Sequence, residues 1–262
     1  MNHKPVIVQE RIAAYLRSLE MDMPLYLAEL ESEAIADGVP IIRKDAQALL
    51  RFFIRMRRPK RILEVGTAVG FSCLYMNEYL GEDGRIATIE KVPMRIAPAK
   101  KNLSAAPNAA RIALLIGEAA DVLKDLSEGG LRTQALLNAA ELENGQGEVY
   151  LPAGGNSIWQ DGAFAKPYDF IFMDAAKGQY PHFLPDVLRL LSPGGLLVSD
   201  NVLQDGDILE SRFAVTRRNR TIHSRMREYL YELTHHEWLE TVVLPIGDGV
   251  TVSYVTRGER NG

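Results

Sequence analysis

The feature that most constrains the fold is a regular alternation between short apolar runs and stretches in which apolar residues recur at helical spacing. The alternation begins at Arg61. The apolar runs lie at 61–65, 85–89, 111–116, 168–173 and 195–199. The stretches with helical spacing lie at about 70–80, 93–104, 118–127 and 180–191. Strands that alternate with helices in this way predict an α/β fold with a doubly wound, mostly parallel sheet.

The two ends of the chain predict different elements. Residues 6–36 carry apolar side chains at helical spacing, interrupted before Pro24, and a further helix is predicted from about Asp45 to Arg57. Residues 1–57 therefore read as N-terminal helices. Near the other end, an Asp-Gly pair separates two β-branched runs, which predicts a C-terminal antiparallel hairpin. The hairpin and the five earlier runs together predict a sheet of seven strands.

One segment, residues 127–166, does not follow the alternation. It contains the pairs Gly129-Gly130, Asn144-Gly145 and Gly154-Gly155, and it is too long for an ordinary connection between elements. We therefore predict a surface insertion within a single domain that spans residues 1–262. A loop without function, a lid on the substrate side and a dimer contact remain open alternatives for this segment.

Composition and charge exclude several classes of protein. The single cysteine, Cys73, rules out an intrachain disulfide framework and a cysteine-rich zinc site. The net charge of −4 indicates no overall basic field for nucleic acid, although a local basic patch is compatible with it. The sequence shows no apolar core of a signal peptide and no run near the ~20 residues of a membrane span, so we expect a cytoplasmic protein.

Oxygen-bearing side chains close two of the predicted strands. Asp174 follows the run at 168–173, and Asp200 and Asn201 follow the run at 195–199. The carboxyl ends of parallel strands are where ligands bind in such sheets. Two carboxylates and an amide oxygen suit Mg²⁺ or another cation that prefers oxygen ligands. Lys177, three residues after Asp174, can supply an amine beside them.

A glycine-containing turn follows the first predicted strand. It runs from Glu64 through Gly66 to Gly70, and glycine allows a backbone to approach a ligand closely. Ser72 falls in the first turn of the following helix, where free N–H groups can also bind a ligand. A plain tight turn and a serine that caps its own helix are the alternatives at these positions.

Acidic residues also close the second and third predicted strands. Glu90 lies about 20 residues beyond the glycine turn, which is the usual spacing for an acid that binds ribose hydroxyls. Glu118 and Ala119 follow the third strand and could receive an adenine ring. A solvated acid at a strand end, and a helix start with an acidic first turn, would look the same when each is considered alone.

Arginines are concentrated in one stretch of this acidic chain. Six of them fall within sixteen residues: Arg212, Arg217, Arg218, Arg220, Arg225 and Arg227. They follow the strand that ends at Asp200, so we expect them near the mouth of the site. Arginine suits phosphate contacts, but a solvated helix face is an equally open interpretation.

The order of these motifs resembles class I S-adenosylmethionine-dependent O-methyltransferases, in particular the divalent-metal-dependent catechol and caffeoyl-CoA type with its Rossmann-like sheet. Residues 63–72 look like the first motif of that family, and residues 173–180 and 199–202 look like its metal motifs. The similarity covers roughly residues 35–257, interrupted by the segment at 127–166. The catechol and caffeoyl-CoA members would act on small phenolic hydroxyls.

The resemblance implies a role for each candidate residue. Asp174, Asp200 and Asn201 would bind Mg²⁺, and Lys177 would be the general base beside the catalytic Asp174. The S-adenosylmethionine site would comprise Ile42, Glu64, Gly66, Ser72, Glu90, Glu118, Ala119 and Asp174. A homodimer is also expected from the resemblance.

Within that family, residues 178–180, 201–206 and 217–227 resemble the bacterial tRNA 5-hydroxyuridine methyltransferases. This likeness implies a tRNA substrate, methylated at the 5-hydroxyl of the wobble uridine to give 5-methoxyuridine. Arg212, Arg217, Arg218, Arg220 and Arg225 would then bind tRNA. A small-molecule O-methyltransferase for catechol-like or caffeoyl-CoA-like hydroxyls is the alternative, and a non-catalytic tRNA-binding protein is a third.

Overall fold

A single eight-stranded sheet forms the centre of the molecule, which is described here by a computed structural model of residues 9–133, 149–159, 164, 166–211, 213, 215–217 and 219–257. The strands are β1 (Arg61–Val65), β2 (Arg85–Glu90), β3 (Ile112–Ile116), β4 (Val149–Tyr150), β5 (Tyr168–Met173), β6 (Leu191–Ser199), β7 (Leu239–Leu244) and β8 (Val250–Val255). Their order across the sheet is β4-β3-β2-β1-β5-β6-β8-β7.

Five adjacent strands, β3, β2, β1, β5 and β6, run parallel, as the alternation of apolar runs predicted. β8 pairs antiparallel with β6, and β7 with β8, so the predicted C-terminal hairpin is confirmed. The predicted number of seven strands is wrong. The eighth strand, β4, pairs antiparallel with β3, and its two residues are too few to produce a periodic pattern in the sequence.

Helices cover both faces of the sheet. They are α1 (Glu10–Ser18), α2 (Leu25–Ala36), α3 (Lys44–Arg57), α4 (Phe71–Tyr79), α5 (Pro93–Ala105), α6 (Ala119–Ser127), α7 (Tyr180–Leu190) and α8 (Arg220–His235). Ile62 of β1 packs with α2, α3, α4 and α5 in one buried cluster. Leu63, the next residue, packs with α6, α7 and α8 in the other. Successive side chains of a strand point to opposite faces, and both faces are buried here, which explains why the strands read as continuous apolar runs.

Part of the segment at 127–166 packs into the core, whereas Gly129, Leu131 and Lys166 of the same segment are exposed, and the surface insertion stays a prediction. Trp159 and Phe164 are both buried, and their rings stack with centroids 4.7 Å apart. Val149 is buried as well, because β4 continues the sheet beyond β3. The rest of the predicted insertion, at 134–148, 160–163 and 165, lies outside the described residues.

The apolar stripe predicted on the first helix faces outward. Ile12, Leu16 and Leu19 are each at least half exposed. Homodimerisation stays a prediction, and this stripe is a surface that a second copy could cover. Within the described ranges, the structure contains no helix of the length and apolar character that crossing a bilayer requires.

Replacement of Trp159 by alanine tests whether the stacked rings of Trp159 and Phe164 belong to the core. The change should destabilise the protein by about 3–5 kcal/mol, because a large buried side chain that stacks on Phe164 leaves a cavity. Leu131→Ala is the matched control, since Leu131 is 80% exposed, and it should change stability by less than about 0.5 kcal/mol. Denaturant unfolding measures both variants. Equal, small effects would contradict this assignment of the core.

Candidate active site

A cavity of about 580 Å³ opens at the carboxyl ends of the parallel strands. Its walls include Gly66–Ala68 after β1, Glu90–Val92 after β2, Gly117–Ala119 after β3 and Asp174–Lys177 after β5. These are the segments in which the sequence placed most of the candidate residues. The parallel sheet brings them together because it aligns the carboxyl ends of these strands along one edge.

Gly66 lies in backbone contact with Asp174. Its φ of 110° is a left-handed value, and a Cβ at this position would lie 2.1 Å from the backbone oxygen of Asp174. The Asp174 N–H donates to the carbonyl of Val65 at 3.0 Å. A side chain at position 66 would therefore displace Asp174, which gives this glycine a steric role in addition to its conformational one.

Glu64 lies behind the cavity wall. Its carboxylate accepts hydrogen bonds from the Ser72 hydroxyl at 2.5 Å and from the Thr88 hydroxyl, which in turn accepts from Thr67 at 2.6 Å. Complete burial raises the pKa of Glu64 to about 7 despite these hydrogen bonds. Because Ser72 uses its hydrogen on Glu64, its oxygen remains able to accept a hydrogen bond at the cavity but not to donate one. The serine bonds Glu64 rather than capping its own helix.

Glu90 is fixed by three backbone N–H groups. One carboxylate oxygen accepts from Lys91 and Val92, and the other accepts from Ala68, each at 2.8 Å. The Ala68 contact joins the turn after β1 to the end of β2. An ionised carboxylate has about four acceptor sites, so it can still accept from a ligand hydroxyl at the cavity.

The far side of the cavity is formed by Glu118, Ala119 and a segment before α3. Glu118 precedes the first residue of α6, Ala119, and pairs with Lys91 at 2.8 Å. Ile42 is buried and lines the cavity from the N-terminal side. The amide of Gln47 donates to the Ile42 carbonyl at 2.9 Å, which holds this segment against the cavity.

Asp174, Asp200 and Asn201 lie at the ends of the neighbouring strands β5 and β6. Asp174 and Asn201 line the cavity, whereas the Asp200 side chain is buried at its edge. Asn201 has a left-handed φ of 57°, which asparagine tolerates better than most residues, and its N–H donates to Asp200 at 2.7 Å. This bend allows two consecutive residues to contribute oxygens to one site.

The charges of this group fit a bound cation. Burial, and then the neighbouring Asp174, raise the pKa of Asp200 to about 7. Burial raises the pKa of Asp174 even though Lys177 and Arg95 oppose the shift. Two neighbouring carboxylates that repel one another are stabilised by a positive charge between them. Among the described residues no cluster of three or more His, Cys, Asp or Glu side chains could hold a metal, so Asn201 would have to complete this set.

Tyr180, which the sequence analysis used only as part of a motif, holds the two metal-motif strands together. Its buried hydroxyl accepts from the Ala175 N–H at 3.2 Å and lies 3.1 Å from the Met173 carbonyl and 3.2 Å from the Asp200 carbonyl. One hydroxyl therefore links the residues on both sides of Asp174 to the end of β6. An apolar helical spacing marks Tyr180 as a core residue and does not reveal the hydroxyl's partners.

Asp248 is a second residue that the sequence analysis did not assign to the site. It lines the cavity from the tip of the β7–β8 hairpin, and its carboxylate oxygen lies 3.5 Å from Lys177 Nζ. The Asp248 side chain is 4% exposed and the Lys177 side chain 32%. The Gly-Asp-Gly sequence is fully explained by a hairpin turn. The sequence therefore provides no indication that Asp248 lies close to Lys177.

The predicted tRNA-binding arginines have different environments. Arg217 is exposed, and the Arg220 guanidinium lies 5.9 Å from the centroid of the Phe213 ring. Arg225 donates to the Gly178 carbonyl at 2.8 Å and so supports the turn that carries Lys177. Arg212 and Arg218 lie outside the described residues.

Comparison with known proteins gives consistent matches. The family model described as O-methyltransferase matches residues 17–137 and 153–255. A catechol O-methyltransferase of Niastella koreensis is 31% identical over 161 residues, which are 62% of this chain but 58%, less than two thirds, of that protein. The catechol O-methyltransferase of Mycobacterium tuberculosis is 29% identical over 201 residues, 76% of this chain and 74% of that protein.

Solved structures share the fold. A SAH-bound Podospora anserina methyltransferase, PaMTH1, superimposes with a TM-score of 0.71 at 23% identity and covers 94% of each chain. The Streptomyces achromogenes O-methyltransferase TomG, in complex with SAM, gives a TM-score of 0.70 at 22% identity, with 94% of this chain and 96% of that chain covered. The confirmed fold is therefore the Rossmann-like methyltransferase sheet.

Replacement of Glu64 by glutamine should make stability less dependent on pH. The folded-state pKa of Glu64 is raised from 4.5 to about 7, so its stabilising contribution is present below pH 4.5 and is lost as the pH rises through 7. Between these limits wild type should lose about 3 kcal/mol relative to Glu64→Gln. Glu33→Gln, at an exposed position, is the control. Denaturant unfolding from pH 4.5 to 8 gives the comparison, and a pH-independent difference would refute the assignment.

Proposed function

The chain belongs to the O-methyltransferase family, and from this premise we propose that it transfers a methyl group from S-adenosylmethionine to a hydroxyl of a small catechol-like aromatic compound, with the help of a divalent cation. The observation that carries the proposal is the pair of neighbouring carboxylates, the half-buried Asp174 and the buried Asp200, at a cavity large enough for a nucleoside cofactor. Two adjacent oxygens on a substrate ring would face these residues and Asn201.

The hydrogen-bonding sites that remain on each residue indicate which part of the cofactor it would bind. Three backbone N–H groups use three of the roughly four acceptor sites of the Glu90 carboxylate, which leaves one site for a ribose hydroxyl. The Gly66–Ala68 turn and the Ser72 oxygen would face the methionine end, where Ser72 would accept from the ammonium group. Glu118 and Ala119 would flank the adenine, and Ile42 would cover the cofactor from the N-terminal side. Glu64 supports this arrangement through Ser72 rather than by direct contact.

The residues around Lys177 carry the chemical step. When bound, the cation lowers the pKa of the substrate hydroxyl and S-adenosylmethionine supplies an electrophilic methyl group. Lys177 Nζ accepts the hydroxyl proton at the cavity wall. The hydrogen bond from the Tyr180 hydroxyl to the Asp200 carbonyl keeps Asp174 and Asn201 in a fixed geometry. This geometry would raise the rate by holding the reacting groups in position before the reaction.

Chelation and Asp200→Asn test the role of the cation. Methyl transfer from S-adenosylmethionine to catechol should fall by at least about 100-fold in excess chelator and recover on addition of Mg²⁺, because charge stabilisation worth several kcal/mol is removed. Asp200→Asn should show the same loss without recovery. Asp37→Asn, at the exposed end of α2, serves as the control. Undiminished turnover in excess chelator would eliminate the cation from the proposal.

A second candidate substrate is tRNA containing 5-hydroxyuridine. It is favoured by the exposed Arg217 in the loop before α8, and weakened by the use of Arg225 within the fold. This substrate also presents two adjacent ring oxygens, so the metal and cofactor residues do not distinguish the candidates. The same acidic and amide ligands would serve either ring.

Parallel assays on catechol and on 5-hydroxyuridine tRNA discriminate between the two candidates. We expect the higher kcat/KM with catechol-type compounds. Methylation of tRNA with a steep salt dependence would instead indicate phosphate contacts and support the second candidate. In that case Arg217→Ala should lower kcat/KM for tRNA and reduce the salt slope by about one contact. Arg11→Ala, on the exposed N-terminal helix, is the matched control.

A further inference from the structure

The turn that carries Asp248 is built so that its carboxylate faces Lys177. Gly247 and Gly249 on either side have left-handed φ values of 56° and 84°. A Cβ on Gly249 would lie 2.2 Å from a Leu203 side-chain carbon, so no other residue fits there without a shift of the neighbouring loop. Both glycines are thus required by the backbone path that places Asp248 at the cavity.

Backbone hydrogen bonds join this turn to the loop after the metal-motif strand β6. The Leu203 N–H donates to the Asp248 carbonyl at 2.9 Å, and the Val202 N–H donates to the Gly249 carbonyl at 3.0 Å. The position of Asp248 is therefore tied to residues that immediately follow Asn201. A movement of the turn would displace the residues next to the candidate metal site.

The turn is also anchored from the N-terminal side of the cavity. Asp45, in the first turn of α3, accepts a hydrogen bond from the Gly247 N–H at 2.7 Å. The segment that precedes α3 contains Ile42 and lines the cofactor cavity. Two independent parts of the chain thus hold the hairpin tip in one place, more than a solvent-exposed turn would need.

The Asp248 side chain brings a carboxylate to the cavity wall. It is 4% exposed, and one of its oxygens lies 3.5 Å from Lys177 Nζ. A buried carboxylate beside other carboxylates carries an electrostatic cost. This cost favours the interpretation that the charge of Asp248 has a role.

We propose that Asp248 is the positioning residue for Lys177: its carboxylate holds Nζ at the cavity wall and stabilises the ammonium that forms when Nζ accepts the substrate proton. The inference rests on the proposed function. In the step, the substrate O–H bond breaks and its proton passes to Nζ, while the oxygen forms a bond to the methyl carbon. The S–C bond breaks and its electron pair remains on the cofactor's sulfur. The role parallels that of an aspartate that orients a catalytic base.

A double-mutant cycle tests this relation. Single-turnover methyl transfer at saturating substrate, cofactor and Mg²⁺ is measured for wild type, Lys177→Ala, Asp248→Ala and the double variant. Asp248→Ala alone should slow the reaction about 10–100-fold, the usual loss for a residue that orients a reacting group. In the Lys177→Ala background it should add no further loss, because the residue through which it acts is gone. An equal loss in both backgrounds would overturn the proposal.

Asp83→Ala is the matched control, since Asp83 forms an exposed lysine pair with Lys60 on the segments that precede β1 and β2. It should leave the rate unchanged. Calorimetric binding of S-adenosylhomocysteine and the melting temperature should be the same for Asp248→Asn, which preserves the side-chain volume, as for wild type. A loss of cofactor binding together with the rate would indicate a structural role and reject the proposal.

Crystal structures of wild type and Asp248→Ala provide a readout that does not depend on turnover. Lys177 Nζ should leave its position at the cavity wall in the variant. An unchanged, well-ordered Nζ would overturn the positioning role. If wild type methylates neither catechol nor tRNA, the proposed function fails, whereas the crystallographic comparison still decides whether Asp248 positions Lys177.

Discussion

The candidate site depends on the close approach of three strand ends. Gly66 touches the Asp174 backbone, which leaves no room for a side chain between β1 and β5. The Tyr180 hydroxyl then joins β5 to β6 through the carbonyls of Met173 and Asp200. These contacts involve only backbone atoms and one buried hydroxyl, so the fold sets the positions of Asp174 and Asp200. The two carboxylates are therefore held near one another despite their mutual repulsion.

That repulsion connects the fold to the proposed chemistry. Burial raises the pKa of Asp174 and of Asp200, and the nearby Asp174 carboxylate raises the pKa of Asp200 further. A divalent cation would remove this cost and use the same charges to polarise a substrate oxygen. Lys177 Nζ lies 3.5 Å from an Asp248 carboxylate oxygen at the wall of the same cavity.

Most of the fold could be predicted from the sequence, because apolar periodicity directly reflects which faces are buried. The bounds of β1 and β5 agree with the predicted runs, and α6 and α7 differ from theirs by one residue at most. β4 was not predicted, since two residues carry no period. Strand ends also located Glu90, Asp174, Asp200 and Asn201. Long-range partners were not accessible, which explains why Tyr180, Asp248 and the burial of Glu64 behind Ser72 emerge only from the structure.

The proposed function requires that Asp174, Asp200 and Asn201 bind a divalent cation beside the cavity. Anomalous diffraction from crystals grown with Mn²⁺ and S-adenosylhomocysteine tests it most directly. We expect one anomalous peak within about 2.2 Å of oxygens from these three side chains, with the cofactor product in the adjacent cavity. Ordered S-adenosylhomocysteine in that cavity, with no anomalous peak at the three side chains, would contradict it.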